Sequence, residues 1–222
     1  MQTNSSQLVS HKVAIWLGIL GAIGGLVLFA GDMLFYYNGA ETDLMKNMAL
    51  ASDQRIIASG VAALIATWLY VLGAGQVYYA FQPAKKWVRL TLFFSFLTIM
   101  ITYGVVHAAY IAIATSAKIS VELGMEASAL TRLAVDANNM LRYIAYVPFG
   151  IFTVFFTFTV WIKASYFPRW VILFSPVIPF LFADVIIGSL QGEIKAIISG
   201  GFLNLILVLF FTASTIALYH KK

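Results

Sequence analysis

Residues 13–37 read VAIWLGILGAIGGLVLFAGDMLFYY, and this stretch decides the fold class. Its only charged residue is Asp32. A helix needs about 20 apolar residues to cross the roughly 30 Å hydrocarbon core of a bilayer. The run is longer than the apolar core of about 7–15 residues found in a signal peptide, and it has no A-x-A cleavage site. We therefore predict a retained transmembrane helix.

The composition of the whole chain agrees with this first run. Of 222 residues, 61% are hydrophobic and 10% are charged, and the mean hydropathy is +0.89. Soluble domains are about half apolar and about a quarter charged, so a soluble enzyme with one anchor is excluded. With no cysteine, the chain has no disulfide framework, thiolate metal site or cysteine nucleophile.

Five more apolar runs of similar length follow the first. We predict an all-α polytopic membrane protein, one domain over residues 1–222, with six transmembrane helices at about 13–37, 56–81, 87–115, 140–163, 169–190 and 195–219. Pro176 and Pro179 predict a kink in the fifth helix, because proline has no N–H to donate. Apolar spacing in residues 38–55 and 116–139 predicts short interfacial helices; alternatively, the third helix continues past the bilayer.

The distribution of Lys and Arg predicts that both termini are cytoplasmic. Cytoplasmic loops of membrane proteins are enriched in these residues. With the N-terminus inside, the inner segments contain only cations: Lys12, Lys85, Lys86, Arg89, Lys163, Arg169, Lys221 and Lys222. The outer segments are mixed: Glu41, Asp43, Asp53, Glu122, Glu126, Asp136 and Glu193, with Lys46, Arg55, Lys118, Arg132, Arg142 and Lys195. We therefore expect an N-in, C-in topology.

The first helix has a face of small residues that includes Gly21 and Gly25. This G-x-x-x-G spacing lets another helix backbone approach closely. One interpretation is close packing within the bundle. The other is a homodimer that forms through Gly21 and Gly25.

Of the acids and histidines, three lie inside the predicted spans: Asp32, His107 and Asp184. A charge at the bilayer centre costs about 2.5–3.5 kcal/mol on insertion scales, so each should face the bundle interior and have a partner. Counting about 1.5 Å per helical residue from the inner cations places all three in the outer half of the bilayer. Asp184 follows the proline pair, and of the three residues it is the one that we most expect to be buried and functional.

Further polar side chains are predicted at the same depth. Arg142 enters the fourth helix from outside, Tyr36 lies one turn beyond Asp32, and Tyr103 and Tyr110 flank His107 by one turn. We therefore predict an outward-facing ligand or proton site formed by Asp32, His107, Arg142, Asp184, Tyr36, Tyr103 and Tyr110. The alternative is structural: Asp32 pairs with Arg142, His107 bonds a tyrosine or Asp184, and the network only fixes helix register.

The chemistry of this set is that of proton exchange. Histidine changes charge near neutral pH, and a neighbouring carboxylate can share its proton. A metal site of Asp32, His107 and Asp184 has acceptable ligand types, but no spacing fixes two ligands on one helix. The sequence has no G-x-S-x-G elbow and no phosphate-binding loop, and it implies no cofactor.

The segment Gly31-Asp32-Met33-Leu34-Phe35-Tyr36 resembles the end of the first helix in a family of small prokaryotic six-helix membrane proteins. The resemblance extends to His107-Ala108 and to Pro168-Arg169-Trp170. It implies a location in the prokaryotic plasma (inner) membrane and no known activity. Our leading hypothesis is binding or transport of a small solute, coupled to protons. The alternatives are a lipid-acting membrane enzyme that uses the same residues and a non-catalytic accessory subunit.

Overall fold

The fold is helical throughout the part of the chain that the structure, a computed structural model, describes, residues 9–39 and 43–221. Glu41 and Lys222, both counted in the charge argument, lie outside these ranges. The helices are α1 (His11–Tyr36), α2 (Leu44–Leu50), α3 (Asp53–Ala80), α4 (Lys86–Glu122), α5 (Arg132–Trp161), a 3₁₀ helix (Arg169–Phe174), α6 (Val177–Leu181), α7 (Ala183–Gly188) and α8 (Gly192–Tyr219).

Three helices begin at side chains that accept hydrogen bonds from the first turn. The Ser10 hydroxyl accepts from the N–H of Val13, the Asp43 carboxylate from the N–H groups of Met45 and Lys46, and the Ser52 hydroxyl from the N–H of Arg55. The first N–H groups of a helix have no partner within the helix, so these caps fix where α1, α2 and α3 start.

Helix α1 packs against both α3 and α8, and its glycines make the close approach possible. A Cβ at Gly24 would lie 3.2 Å from the carbonyl oxygen of Ala66 in α3, and one at Gly25 would lie 3.2 Å from that of Asn204 in α8. Gly21 faces the ring of Phe211 in α8. The small-residue face therefore packs within the chain. A homodimer through Gly21 and Gly25 would require this contact to open, and it stays a prediction.

In the described part of the chain, five helices are long and apolar enough to cross a membrane: α1, α3, α4, α5 and α8. Large apolar side chains such as Trp68 and Val154 point outward and are exposed, whereas Gln76 and Asn204 are buried between helices. This arrangement suits a hydrocarbon surrounding, in which polar groups must find partners inside the protein. The architecture fits a multi-pass integral membrane protein.

The prediction of one kinked helix over residues 169–190 requires correction. The structure has a 3₁₀ helix followed by two short helices, with breaks at Ser175 and at Phe182. Pro176 and Pro179 cannot donate backbone hydrogen bonds, and the preceding turns form i to i+3 bonds such as that from the Ser175 N–H to the Ile172 carbonyl. Two prolines so close together end the helix instead of bending it.

Helices occupy much of the two long loops that the sequence places outside. Helix α2 forms in residues 38–55 and packs against α4, with Met48 buried. In residues 116–139, α4 continues to Glu122 and α5 begins at Arg132. This agrees with the alternative prediction, in which the third predicted helix continues, and not with a separate interfacial helix. Arg132 and Asp136, one turn apart and 3.8 Å between charged atoms, form an ion pair in the first turns of α5.

Candidate functional site

A cavity of about 300 Å³ lies between α1, α4, α5 and α8, in the half of the bundle that contains α2. The short helices α6 and α7 form one of its walls through Phe180, Ala183 and Ile187. Ionisable side chains from three helices line it: Asp32 and Tyr36 of α1, Tyr103, His107 and Tyr110 of α4, and Arg142 and Tyr146 of α5.

The centre of the site is the carboxylate of Asp32, which is 1% exposed. One oxygen lies 2.8 Å from Nδ1 of His107, and the other accepts a hydrogen bond of 2.5 Å from the amide of Asn204. A buried carboxylate is stable only when it is paired and hydrogen-bonded. Here an imidazole from α4 and an amide from α8 meet that requirement, so the two side chains tie α1 to both neighbouring helices.

The orientation of His107 follows from this contact. An ionised carboxylate only accepts hydrogen bonds, so Nδ1 carries a proton and donates it to Asp32. The other ring nitrogen has no hydrogen-bond partner among the described residues. The imidazole lines the cavity and lies 5.9 Å from the ring of Tyr110. Next to it, the carbonyl of Val106 accepts a hydrogen bond of 2.8 Å from the buried Asn138 amide, which fixes α4 against α5.

The end of α1 is held in place by polar contacts from two other helices. Arg55 of α3 donates to the carbonyl oxygens of Met33 and Tyr37, over 3.1 and 2.6 Å. The Asn47 amide of α2 donates to the carbonyl of Tyr36, over 2.8 Å. These donors satisfy the last carbonyls of the helix, which have no partner within it. The positions of Asp32 and Tyr36 are therefore set by the surrounding helices.

Arg142 is the third charged group of the cavity, and it is half-buried. It shares the cavity lining with Tyr36 and Tyr103. Its guanidinium forms no hydrogen bond or ion pair with any residue in the described ranges. The pairing of Asp32 with Arg142, which the structural alternative expected, is absent there because His107 and Asn204 occupy both carboxylate oxygens.

The structure brings six of the seven predicted site residues to one cavity and leaves one outside. Asp32, Tyr36, Tyr103, His107, Tyr110 and Arg142 line it, whereas Asp184 is exposed. Successive residues of a helix point about 100° apart. Helix α7 presents Ala183 and Ile187 to the cavity, so the neighbouring Asp184 faces another direction.

The site predicted from the sequence includes neither Asn204 nor Tyr146. Asn204 is 1% exposed and donates directly to Asp32, and Tyr146 lines the cavity beside Arg142. Asn204 carried a usable signal, since a single amide in an otherwise apolar run of α8 needs a partner inside the bundle. Tyr146 carried none, because tyrosine is common near the ends of membrane helices.

Among the described residues, the acids and histidines form no cluster of metal ligands. Throughout residues 9–39 and 43–221, no group of three or more His, Asp and Glu side chains is placed for it. The metal site considered from the sequence needed Asp184 beside Asp32 and His107, and Asp184 lies outside the cavity. The polar groups that line the cavity can form hydrogen bonds, attract charge and transfer protons.

Comparison with known proteins places the chain in a family. Residues 4–221 match the family described as "Family of unknown function (DUF6796)". The chain belongs to this family. The match covers nearly the whole chain and agrees with the resemblance to an uncharacterised family. No curated protein and no solved structure matches the chain.

Proposed function

We propose that this protein binds and transports a small solute in the Asp32–His107–Arg142 cavity, and that the solute is coupled to protons. The supporting observation is one cavity of about 300 Å³ lined by a buried carboxylate–imidazole pair and a guanidinium without a partner in the described chain. Small-molecule sites are concave and mostly apolar, with a few polar groups placed to fix the ligand. This cavity has that composition, with aromatic walls around three charged groups.

The proposal includes six membrane crossings with both termini in the cytoplasm. Residues 163–191 extend from one end of α8 to the other. Tyr166 contacts Lys221, which follows the end of α8, and Ile187 lines the cavity together with Ser199, near the start of α8. The broken segment 169–190 therefore runs along α8 as a sixth crossing. Non-helical backbone at membrane depth is tolerated where it is buried in protein or lines a cavity, and this segment lines one.

The charge distribution supports the orientation. The ends of several helices meet on one side: Tyr79 at the end of α3 contacts His11 at the start of α1, and the Tyr166 N–H donates to the Ala80 carbonyl. The inner cations Lys12, Lys85, Lys86, Arg89, Lys163, Arg169 and Lys221 lie on or beside these segments. We place this side in the cytoplasm, so the cavity opens to the outer half of the membrane, and we assign the protein to the prokaryotic inner membrane.

Coupling to protons follows from the pairing of His107 with Asp32. A carboxylate hydrogen-bonded to an imidazole forms a unit that can hold or release one proton. Such intramembrane pairs are typical of proton relays in transporters. A solute that binds next to this unit changes the free energy of the protonated state, and the proton changes the affinity for the solute by the same factor.

The test is proton movement in proteoliposomes that contain the full chain and a pH-sensitive dye. We would add sugars, amino acids, amines and monocarboxylates to the outside, one class at a time. One class should change the internal pH, and His107→Gln and Asp32→Asn should abolish the change. The matched control is Asp184→Asn, which removes an acid outside the cavity and should leave the signal intact. If no class moves protons, or if His107→Gln equals the parent protein, the proposal fails.

A further inference from the structure

The charged side chains that line the cavity differ in how many of their polar atoms are available to a ligand. Asp32 has both oxygens engaged, one by His107 and one by Asn204. Arg142 offers five N–H donors and, among the residues that the structure describes, meets no acceptor. The charge available to a solute is therefore positive.

We propose that the solute is a small organic anion, a monocarboxylate with an apolar body, which binds through Arg142 and is accompanied by one proton on the Asp32–His107 pair. This inference rests on the proposed function and adds the chemical class of the solute. A planar guanidinium matches a carboxylate through two parallel hydrogen bonds. The site therefore requires a ligand with one planar, anionic head group.

The walls of the cavity define the rest of the molecule. They include the rings of Tyr103, Tyr146, Phe149 and Phe180 and the side chain of Ile99. Phe180 lies 6.5 Å from Tyr146 and 6.3 Å from Phe149 between ring centroids, so the rings of α5 and α6 form a continuous aromatic wall. The volume of about 300 Å³ is at the lower limit for small-molecule sites. An aromatic or branched aliphatic body of a single ring or a few carbons suits this space.

Charge balance links the anion to the proton. With a neutral imidazole, Asp32 and Arg142 cancel, and a bound carboxylate leaves one negative charge in the cavity. Protonated His107 removes this excess. Besides Asp32 and Arg142, the ionisable groups that line the cavity with His107 are phenols: Tyr36 of α1, Tyr103 and Tyr110 of α4, and Tyr146 of α5. Helix α8 contributes Asn204 and Ser199, and the wall of α6 and α7 is apolar, so none of these supplies a compensating charge near neutral pH.

The experiment measures binding of benzoate, benzamide and benzylammonium to the full chain in nanodiscs. The three probes share one ring and differ in charge. Benzoate should bind at least about tenfold more tightly than benzamide, which is the scale of a charge-assisted hydrogen bond. Its affinity should fall by about tenfold for each pH unit above the imidazole transition, where each bound anion takes up one proton.

Variants separate the role of Arg142 from that of His107. Arg142→Gln should weaken benzoate by about tenfold to 100-fold, and it should fold because the guanidinium has no partner in the described residues to lose. Arg142→Lys should recover part of the affinity, since it keeps the charge without the planar fork. His107→Gln should bind benzoate with little dependence on pH. Asp184→Asn should match the parent protein in all measurements.

The possible failures differ from those of the proposed function. If benzylammonium or benzamide binds in place of benzoate, with a pH dependence that His107→Gln removes, the anion is wrong and the solute site stands. If benzoate binding needs Arg142 but no solute moves protons in liposomes, the anion site stands and the transport function is wrong. If acetate, isovalerate and benzoate all fail to raise the thermal stability of the protein, the anion assignment is overturned.

Discussion

At the scale of single residues, the hydrogen bond from Asn204 to Asp32 has the largest expected effect on stability. Both side chains are 1% exposed, and the donor–acceptor distance is 2.5 Å. Asn204→Leu leaves one oxygen of a buried carboxylate without a donor, which should cost about 1–3 kcal/mol of unfolding free energy. The measurement is reversible unfolding in mixed micelles of detergent and SDS.

The matched control for this variant is Asn139→Leu. Asn139 is half-buried and is outside the cavity lining, so its loss should change stability by less than about 0.5 kcal/mol. Equal effects of the two leucine variants would show that Asp32 does not depend on the Asn204 amide.

The candidate site could be predicted in large part because polar residues are expensive in a membrane. This cost marked Asp32 and His107 as inward-facing, and helical spacing added Tyr36, Tyr103 and Tyr110. The cost of burying polar groups in a membrane does not by itself predict which of these groups contact each other. It favoured Asp184, which lies outside the cavity, over Asp32, which is the buried carboxylate.

At the scale of helices, the packing of α1 against α8 depends on glycine. At Gly25, a Cβ would lie 3.3 Å from the backbone nitrogen of Val208 and 3.2 Å from the Asn204 carbonyl. Gly25→Leu should therefore push α8 away and cost about 1–3 kcal/mol, the usual range for overpacking. The same unfolding measurement in mixed micelles would show it.

A glycine in open space provides the comparison. Gly150 of α5 has nothing within 4 Å of an added Cβ. Gly150→Ala should leave the protein unchanged or more stable by up to about 1 kcal/mol, because alanine favours helix. A Gly25→Leu variant as stable as Gly150→Ala would contradict the close packing. A variant that loses a dimer while its monomer keeps full stability would favour the homodimer instead.

The elements that sequence reasoning placed correctly are those with a long apolar run and a local stop signal. Helix α1 was predicted over residues 13–37 and extends from His11 to Tyr36. The segment 169–190 failed because hydropathy measures the length of an apolar run and not whether its backbone can form one helix. Pro176 and Pro179 remove two donors within one turn, and the structure breaks there.

At the scale of the whole molecule, the number of crossings decides where each loop lies. The chain has no cysteine, so Ala164→Cys and Ser189→Cys each provide one labelling site, at opposite ends of the broken segment. With six crossings, a membrane-impermeant maleimide added to intact cells should label residue 189, and residue 164 only after permeabilisation. With five crossings, both residues would be labelled from the same side.

A second pair of positions serves as the reference. Ser128→Cys, in the exposed loop between α4 and α5, should behave like residue 189, and Gln82→Cys, between α3 and α4, should behave like residue 164. If residue 128 were protected in intact cells and residue 82 labelled, the N-in orientation would be reversed.

The sequence by itself determined the class of molecule, the long helices and the kind of residue that must face inward. These properties follow from local terms: the length of an apolar run, helical spacing, caps and the cost of charge in hydrocarbon. Tertiary structure alone decided that Asp32 pairs with His107 and Asn204, and that Arg142 has no hydrogen-bond or ion-pair partner within residues 9–39 and 43–221. Such pairings depend on the rotation and depth of helices that are far apart in sequence. Close glycine contacts and aromatic packing set this rotation and depth, and no local sequence pattern encodes them.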